Sequence, residues 1–198
     1  MTVRLPCSKC GESIHPDTAA KNGGLCMPCK GGYRDRIEAS KVRREAERLY
    51  DQSAERKYWL ELVNRVHHTK EGFAGISPTE KTYYAVCCLA GEVYNGGFGQ
   101  FFSNSTGDMY GVALDGLFEL EADATAGILI QAKEVLFGSK LVPVDRSKRL
   151  KQMPTIARDG TPGGEKLDAL DTAFYADPDK LGERCKAFAV KHGLYNDG

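Results

Sequence analysis

The sequence predicts an all-α fold, in which a small N-terminal four-cysteine zinc module and a connecting helix precede a helical domain. Three observations predict it: two Cys-x2-Cys pairs near the N-terminus, no Gly or Pro in residues 33–66, and almost no alternating β-branched runs. With 198 residues, 41% of them hydrophobic, the chain is long enough for one domain and a small module. We therefore predict a zinc-binding module over residues 1–32, a charged connector helix over 33–54 and an α-helical domain over 55–198.

Two cysteine pairs mark the N-terminal module. They consist of Cys7 with Cys10 and Cys26 with Cys29, and fifteen residues separate the two pairs. Thiolates two residues apart on a tight turn can bind one metal ion, and two such turns complete a tetrahedral site. Because so short a segment buries too little to fold alone, and because four ligands leave no open position for catalysis, we predict a structural Zn²⁺. Redox chemistry, two disulfides and His15 as a substitute ligand stay open, as does the choice between a zinc ribbon and a treble clef.

Residues 33–66 predict one long helix. Apolar or small side chains recur along one helical face, at Val42, Ala46, Tyr50, Ala54, Tyr58, Leu62 and Val66. The first half is highly charged, with pairs such as Arg43 and Glu47 one turn apart. We interpret it as a solvated connector, because interleaved acidic residues dilute the field that a nucleic-acid-binding helix would need.

The rest of the chain predicts further helices. Ser77-Pro78-Thr79-Glu80 has the residues of a capping box, and the helix that it starts is expected to end at Gly96-Gly97. We expect Cys87 and Cys88 within that helix, and Cys185 later in the chain, to pack in the core. The other predicted helices cover 109–121, with Tyr110, Leu114, Leu117 and Phe118 inward; 124–137, with Asp123 as N-cap; 146–152, with Asp145 as N-cap; and, after a loop over 158–164, 165–175 and 178–192.

The most distinctive stretch runs from Glu92 to Asp108 and contains the decapeptide Asn95-Gly-Gly-Phe-Gly-Gln-Phe-Phe-Ser-Asn104. Its paired glycines let the chain turn out of a helix, and its phenylalanines are expected to fix that turn against the core. Side chains of Asn95, Gln100 and Asn104 are predicted to hydrogen-bond the freed backbone groups, which cost about 1–3 kcal/mol each when buried unpaired. A phosphate-binding glycine loop is excluded, since the nearest downstream lysine is Lys133.

Together with Gly107, this stretch resembles the N-G-G-F-x-Q-[FY]-F-x-N-x-x-G core of the bacterial DNA-mimic protein family. The resemblance extends through Leu167–Tyr175 to His192, and it covers roughly residues 55–193. It implies an all-α fold whose acidic surface imitates the phosphates of duplex DNA and binds a helix-turn-helix transcription regulator. The zinc module lies outside the resemblance, and we interpret the motif itself as sequence that holds the fold.

Mimicry requires surface carboxylates, and one segment concentrates them. The chain has zero net charge, yet no Lys or Arg occurs between Lys81 and Lys133, and the net charge there is −6. The predicted partner-binding residues are Glu92, Asp108, Asp115, Glu119, Glu121 and Asp123. Basic residues elsewhere depart from a strongly acidic family pattern, and they weaken the field unless they lie on another face. Among these are Lys140, Arg146, Lys148, Arg149 and Lys151.

These observations predict a non-enzymatic interaction protein whose acidic helical domain binds a basic protein partner, mimicking DNA to sequester a transcription regulator. The first alternative is a nucleic-acid-binding protein that uses the zinc module and the connector helix. Its phosphate contacts would be Lys30, Arg34, Arg36, Lys41, Arg43 and Arg44. The second is an uncharacterised hydrolase, although no HExxH, GxSxG or Walker pattern occurs.

Two remaining features complete the expectations. The only histidine pair, His67-His68, diverges on a helix, and we expect Asp168 and Asp171 simply to cap or solvate one. No apolar run approaches the roughly 18–20 residues that a membrane helix needs, and the N-terminal residues show no apolar signal-peptide core, so a cytoplasmic location is expected. Partner identity and oligomeric state stay open.

Overall fold

The computed structural model describes residues 3–153 and 160–196. Within them, a hairpin of β1 (Leu5–Pro6) and β2 (Ser13–Ile14) precedes ten α-helices, so the all-α prediction is confirmed. The helices are α1 (Pro16–Lys21), α2 (Met27–Lys30), α3 (Arg34–Gln52), α4 (Ala54–His68), α5 (Pro78–Ser103), α6 (Tyr110–Glu119), α7 (Asp123–Phe137), α8 (Arg146–Gln152), α9 (Pro162–Tyr175) and α10 (Leu181–Lys191). None of these helices is long and apolar enough to cross a membrane.

The chain divides into two units, Met1–Ser53 and Ala54–Gly198. In the first unit β1 pairs antiparallel with β2, and a small core combines Ile14 and Ala19 with three of the cysteines. None of the residues in α3 is buried, and Val42 is 71% exposed. This helix is therefore solvated, as expected for a connector. The division of the chain into a zinc module, a connector helix and a helical domain stays a prediction.

The prediction of one continuous helix over residues 33–66 is wrong. Helix α3 ends at Gln52, Ser53 adopts an extended backbone conformation with ψ 156°, and α4 begins at Ala54. Serine competes for backbone hydrogen bonds and favours helix ends over helix interiors. The apolar spacing continues across this residue, so periodicity alone could not locate the break.

The second unit is built around α5, which packs against α6, α9 and α10. Its N-terminus has the predicted capping box, in which Ser77 Oγ accepts from Glu80 N at 3.2 Å and Glu80 Oε2 accepts from Ser77 N at 2.8 Å. The core of the unit contains Cys185, and Cys87 and Cys88 pack against it as predicted. Its largest fully buried apolar side chains are Tyr83, Phe98, Phe101, Phe102, Leu62, Leu89, Leu117, Leu129 and Leu136.

Two details of α6 and α7 correct the sequence predictions. Phe118 faces outward and is 49% exposed, because Ala113, Gly116 and Leu117 form the buried face of α6. Asp123 is the first residue of α7, and Ala122 rather than Asp123 holds the N-cap position.

The N-terminus of α7 is instead capped from a distant part of the chain. Asp179 Oδ2 accepts from Thr125 N at 2.7 Å and from Thr125 Oγ1 at 2.8 Å. This acceptor satisfies a backbone donor that has no partner within the helix.

The later helices follow the predictions more closely. Asp145 caps α8 as predicted, since its side chain accepts from Lys148 N at 2.8 Å. Part of the predicted 158–164 loop lies outside the described residues, and its last residues, Pro162–Gly164, belong to α9, which Thr161 caps. Proline suits the first turn of a helix, because its missing N–H would have no intrahelical partner there.

Candidate metal centre and acidic surface

Each cysteine pair lies on its own turn. Cys7 and Cys10 lie between β1 and β2, where Gly11 N donates to Cys7 O at 2.9 Å and Gly11 adopts a left-handed φ of 75°. Cys26 caps the N-terminus of α2, and its carbonyl accepts from Lys30 N at 2.9 Å. These turns direct the four thiols toward one point.

The four sulfur atoms lie within 4.8 Å of one another, and Cys10 Sγ and Cys26 Sγ are 3.7 Å apart. Arg34 Nη2 donates to Cys26 Sγ at 3.2 Å and lowers the pKa of that thiol, while the backbone N–H of Cys26 lowers the pKa of Cys7 to about 6. Burial disfavours the thiolate of Cys29 and raises its pKa to about 12. A bound cation would stabilise that thiolate and so oppose the effect of burial. The donor set therefore fits a metal ion. His15 caps α1, accepting from Asp17 N at 3.3 Å, and is not in the cluster.

The glycine pair forms a kink within α5 rather than an end. Gly96 and Gly97 are non-helical, Gly97 has φ 72°, and the helix resumes through Phe98 to Ser103. A Cβ at Gly97 would collide with the carboxylate of Asp171 on α9. That carboxylate accepts from Phe98 N at 2.8 Å, so it satisfies the amide which the kink frees.

Glu92 precedes this kink in α5, and its carboxylate accepts hydrogen bonds from side chains that follow the kink. Its Oε2 accepts from Gln100 Nε2 at 2.6 Å and from Asn104 Nδ2 at 2.8 Å, and its Oε1 accepts from Thr106 Oγ1 at 3.2 Å. The prediction that Gln100 and Asn104 pair with the backbone is therefore wrong, and Asn95 is exposed. The half-buried carboxylate of Glu92, predicted to bind a partner, is engaged inside the protein.

The last glycine of the motif makes room for a buried cation. Arg149 on α8 is fully buried, and its guanidinium donates to Phe102 O, Asn104 O, Pro143 O and Val144 O at 2.6–2.9 Å. A Cβ at Gly107 would lie 2.8 Å from Arg149 Nε. Arg149 therefore binds the backbone at the end of α5 and is not part of a basic surface.

The other five predicted partner-binding residues are all exposed. They are Asp108, Asp115, Glu119, Glu121 and Asp123, and we call them the acidic segment. Asp115 and Glu119 lie one turn apart on α6, where Glu119 Oε2 also accepts from Thr82 Oγ1 at 3.1 Å.

Cations approach the acidic segment at two points. Arg184 Nη1 on α10 lies 3.9 Å from Glu121 Oε2 and donates to Leu120 O at 3.0 Å. Near Asp108, the positive charge of Arg149 opposes the effect of burial, which nevertheless raises the pKa of that carboxyl. Along the sequence, no Lys or Arg between Lys81 and Lys133 alternates with these carboxylates.

Sequence reasoning missed three functional positions in the fold: Asp171, Asp179 and Arg149. From the sequence we expect Asp171 only to cap or solvate a helix and Arg149 to belong to a basic cluster. Asp171 and Asp179 have partners 73 and 54 residues away. Arg149 binds carbonyls 45 and 47 residues away as well as two nearby ones, so no local pattern predicts the long-range contacts. The glycines that would collide with Asp171 and Arg149 were the only local signal.

The comparison with protein families agrees with this geometry. Residues 74–192 match the model of the family described as DMP19-like protein. The match contains the whole kink, the Glu92 and Asp171 contacts and the acidic segment, and it leaves out the cysteine cluster. The chain matches no curated protein and no solved structure. Because the family model matches more than half of the chain, we conclude that the chain belongs to the DMP19-like protein family.

Proposed function

We propose that the unit Ala54–Gly198 binds the DNA-binding surface of a basic protein, such as a helix-turn-helix transcription regulator, by presenting carboxylates in place of DNA phosphates. The observation that carries this proposal is the acidic segment: five exposed carboxylates on a stretch with no Lys or Arg between Lys81 and Lys133. Membership of a DNA-mimic family supports the same role.

The neutral net charge of the chain is compatible with this role. Interactions between exposed charges fade over a Debye length of about 8–10 Å at physiological salt. A local field of carboxylates therefore acts on a docked partner even when the whole chain carries 27 basic and 27 acidic side chains. Glu92 contributes to the fold in this account and is left out of the binding surface.

For the first unit, we propose that Cys7, Cys10, Cys26 and Cys29 hold a structural Zn²⁺. Four converging thiolates are the ligand set of closed tetrahedral zinc sites, and no position is left for a substrate. The ion would supply folding energy to a unit whose own core is small. Arg34, which donates to Cys26 Sγ, would offset the negative charge of the four thiolates.

The second candidate function is nucleic-acid binding by α3. One observation favours it: Tyr33, Arg36, Lys41 and Arg44 line a shallow hollow of about 370 Å³. However, several cations of this helix are already paired with acids of the same helix, which weakens their attraction for phosphates. These pairs are Arg34 and Lys41 with Glu38, Arg43 with Glu47, and Arg48 with Glu45.

Catalysis receives little support from the described residues. Burial raises the pKa of the Cys88 thiol to about 12, so it is protonated at neutral pH and a poor nucleophile. His67 Nε2 lies 3.0 Å from Tyr84 OH, where a hydroxyl rather than a carboxylate orients it.

Fluorescence anisotropy distinguishes the two binding functions. Zinc-loaded protein is titrated into a labelled random-sequence DNA duplex and, separately, into labelled polylysine, at low and at moderate salt. The proposal predicts binding to polylysine that weakens as salt rises, and no comparable binding to DNA. Log-linear, salt-dependent binding to the duplex without binding to polylysine would instead favour α3 as the working surface.

A further inference from the structure

A small pocket lies beside the first residue of the acidic segment. It is bounded by the end of α4, the 3-10 helix Gly72–Gly75, α5 and the 3-10 helix Ser105–Met109, and it has a volume of about 140 Å³. Phe73 and Tyr84 provide aromatic walls, and Ser105 and Asp108 line the pocket as exposed residues. It therefore combines aromatic faces with a carboxylate.

The aromatic wall is held in a fixed arrangement. The Phe73 and Tyr84 rings have centroids 5.9 Å apart, and Trp59 stacks on Tyr84 with centroids 5.5 Å apart and an interplanar angle of 22°. Such faces attract cations. Within the structure, Lys81 Nζ lies 5.9 Å from the centroid of the Phe73 ring. The same ammonium donates a hydrogen bond to Ala74 O at 3.1 Å, and Lys81 does not line the pocket.

Asp108 lacks an ion-pair partner within the described part of the chain. The nearest opposing charge is Arg149, but the guanidinium of that residue donates to four backbone carbonyls. The carboxylate of Asp108 is partly withdrawn from water and is not neutralised by a contact. A cation that entered the pocket would meet a carboxylate able to bind it.

We propose that this pocket binds an arginine side chain of the basic partner, with the guanidinium against the Tyr84 and Phe73 rings and paired with Asp108. The inference rests on the proposed function and specifies the chemistry of the partner at one position. A guanidinium is planar, weakly hydrated, stacks on aromatic rings and binds carboxylates with two parallel hydrogen bonds, whereas an ammonium is a strongly hydrated point charge. At roughly 30 Å³ per water, the pocket has room for about four or five small groups, enough for the four heavy atoms of a guanidinium.

The test compares labelled hexa-arginine with labelled hexalysine, which carry the same charge. Both peptides are titrated into the zinc-loaded full chain by fluorescence anisotropy, and the emission of Trp59, the single tryptophan, reports on the ring that stacks on Tyr84. We expect hexa-arginine to bind about fivefold more tightly than hexalysine and to change the Trp59 emission.

Variants separate the pocket from the general acidic field. Asp108→Asn removes the carboxylate and Ser105→Phe fills the pocket, and each is expected to bring the ratio of the two affinities close to one. Asp115→Asn is the matched control, because it removes the same charge outside the pocket and is expected to weaken both peptides while the ratio stays near five. Equal binding of both peptides by the unmodified protein, or an arginine preference that survives both pocket variants, would contradict arginine binding in the pocket. Neither result would contradict partner binding by the acidic segment. If neither peptide binds at low salt, the proposed function fails together with the pocket.

Discussion

Asp171 Oδ1 on α9 accepts a 2.8 Å hydrogen bond from the backbone N–H of Phe98, which lies 73 residues earlier at the kink in α5. The contact explains the glycine before Phe98, because Gly97 has a positive φ and a Cβ there would occupy the position of the carboxylate. Tyr175 on the same helix adds a second link, donating its hydroxyl to Val93 O at 3.0 Å. The most distinctive motif of the sequence is therefore a joint between α5 and α9.

We expect Asp171→Ala to destabilise the protein by about 1–3 kcal/mol, because it leaves a buried amide donor unpaired. Asp171→Asn is expected to cost less, since an amide oxygen can still accept from Phe98 N. Urea unfolding followed by far-UV circular dichroism measures both. Equal stability of the alanine variant and the unmodified protein would contradict the role of this contact.

Replacing the buried Arg149 tests its contacts with the end of α5. Arg149→Met removes four hydrogen bonds to backbone carbonyls and leaves those acceptors unpaired, and we expect a loss of about 3 kcal/mol or more. Arg149→Lys should not restore stability, because an ammonium cannot reproduce the planar fork of donors. Lys148→Met, at an exposed neighbouring position, is the control and should change the unfolding free energy by less than about 0.5 kcal/mol.

Stability at acid pH depends on Glu80. Although burial opposes ionisation, hydrogen bonds from Arg65, Ser77 and Tyr58 outweigh it and lower the pKa of Glu80 to about 2. A carboxyl with a lowered folded-state pKa contributes stability above its unfolded pKa of about 4.3, and this contribution is lost as the pH falls toward 2.

Glu80→Gln should therefore lower the free energy of unfolding at pH 7 by roughly 2 kcal/mol and by much less at pH 2. Unfolding in urea across this pH range measures the difference. Glu134→Gln, at an exposed site on α7 that is not paired with Glu80 or Arg65, is the matched control and should change the free energy of unfolding at pH 7 by less than about 0.5 kcal/mol. A Glu80→Gln cost that is the same at both pH values would contradict this assignment.

Metal removal should affect the two units differently. We expect one Zn²⁺ per chain by elemental analysis, and none after Cys26→Ser combined with Cys29→Ser. Chelation should abolish hydrogen-exchange protection in residues 5–30, while the amides of α5 stay protected, because the second unit has its own core. Protection in residues 5–30 that persists after complete metal removal would contradict a folding role for the ion.

Local patterns predicted part of this structure well. The capping box at Ser77, the N-cap at Asp145 and the metal-compatible cysteine cluster depend on residues close in sequence or on a strict spacing, so they could be predicted from the sequence. The helix break at Ser53 could not, because the apolar period continues across it. Charge alone was also misleading, because Glu92 binds side chains within the fold and Arg149 binds backbone carbonyls there, and neither type of contact can be read from charge.

The central claim, that the acidic segment takes the place of DNA, is tested most directly by displacement of labelled duplex DNA from polylysine. We predict that the unmodified protein releases the DNA and that added salt weakens this effect. Asp115→Lys combined with Glu119→Lys should raise the concentration needed for release at least about tenfold. The control, Glu134→Lys with Asp168→Lys, makes the same change of charge at exposed positions on α7 and α9 and should stay within about twofold of the unmodified protein. An equal loss in both double variants, or no loss in the first, would contradict the claim that these carboxylates form the binding surface.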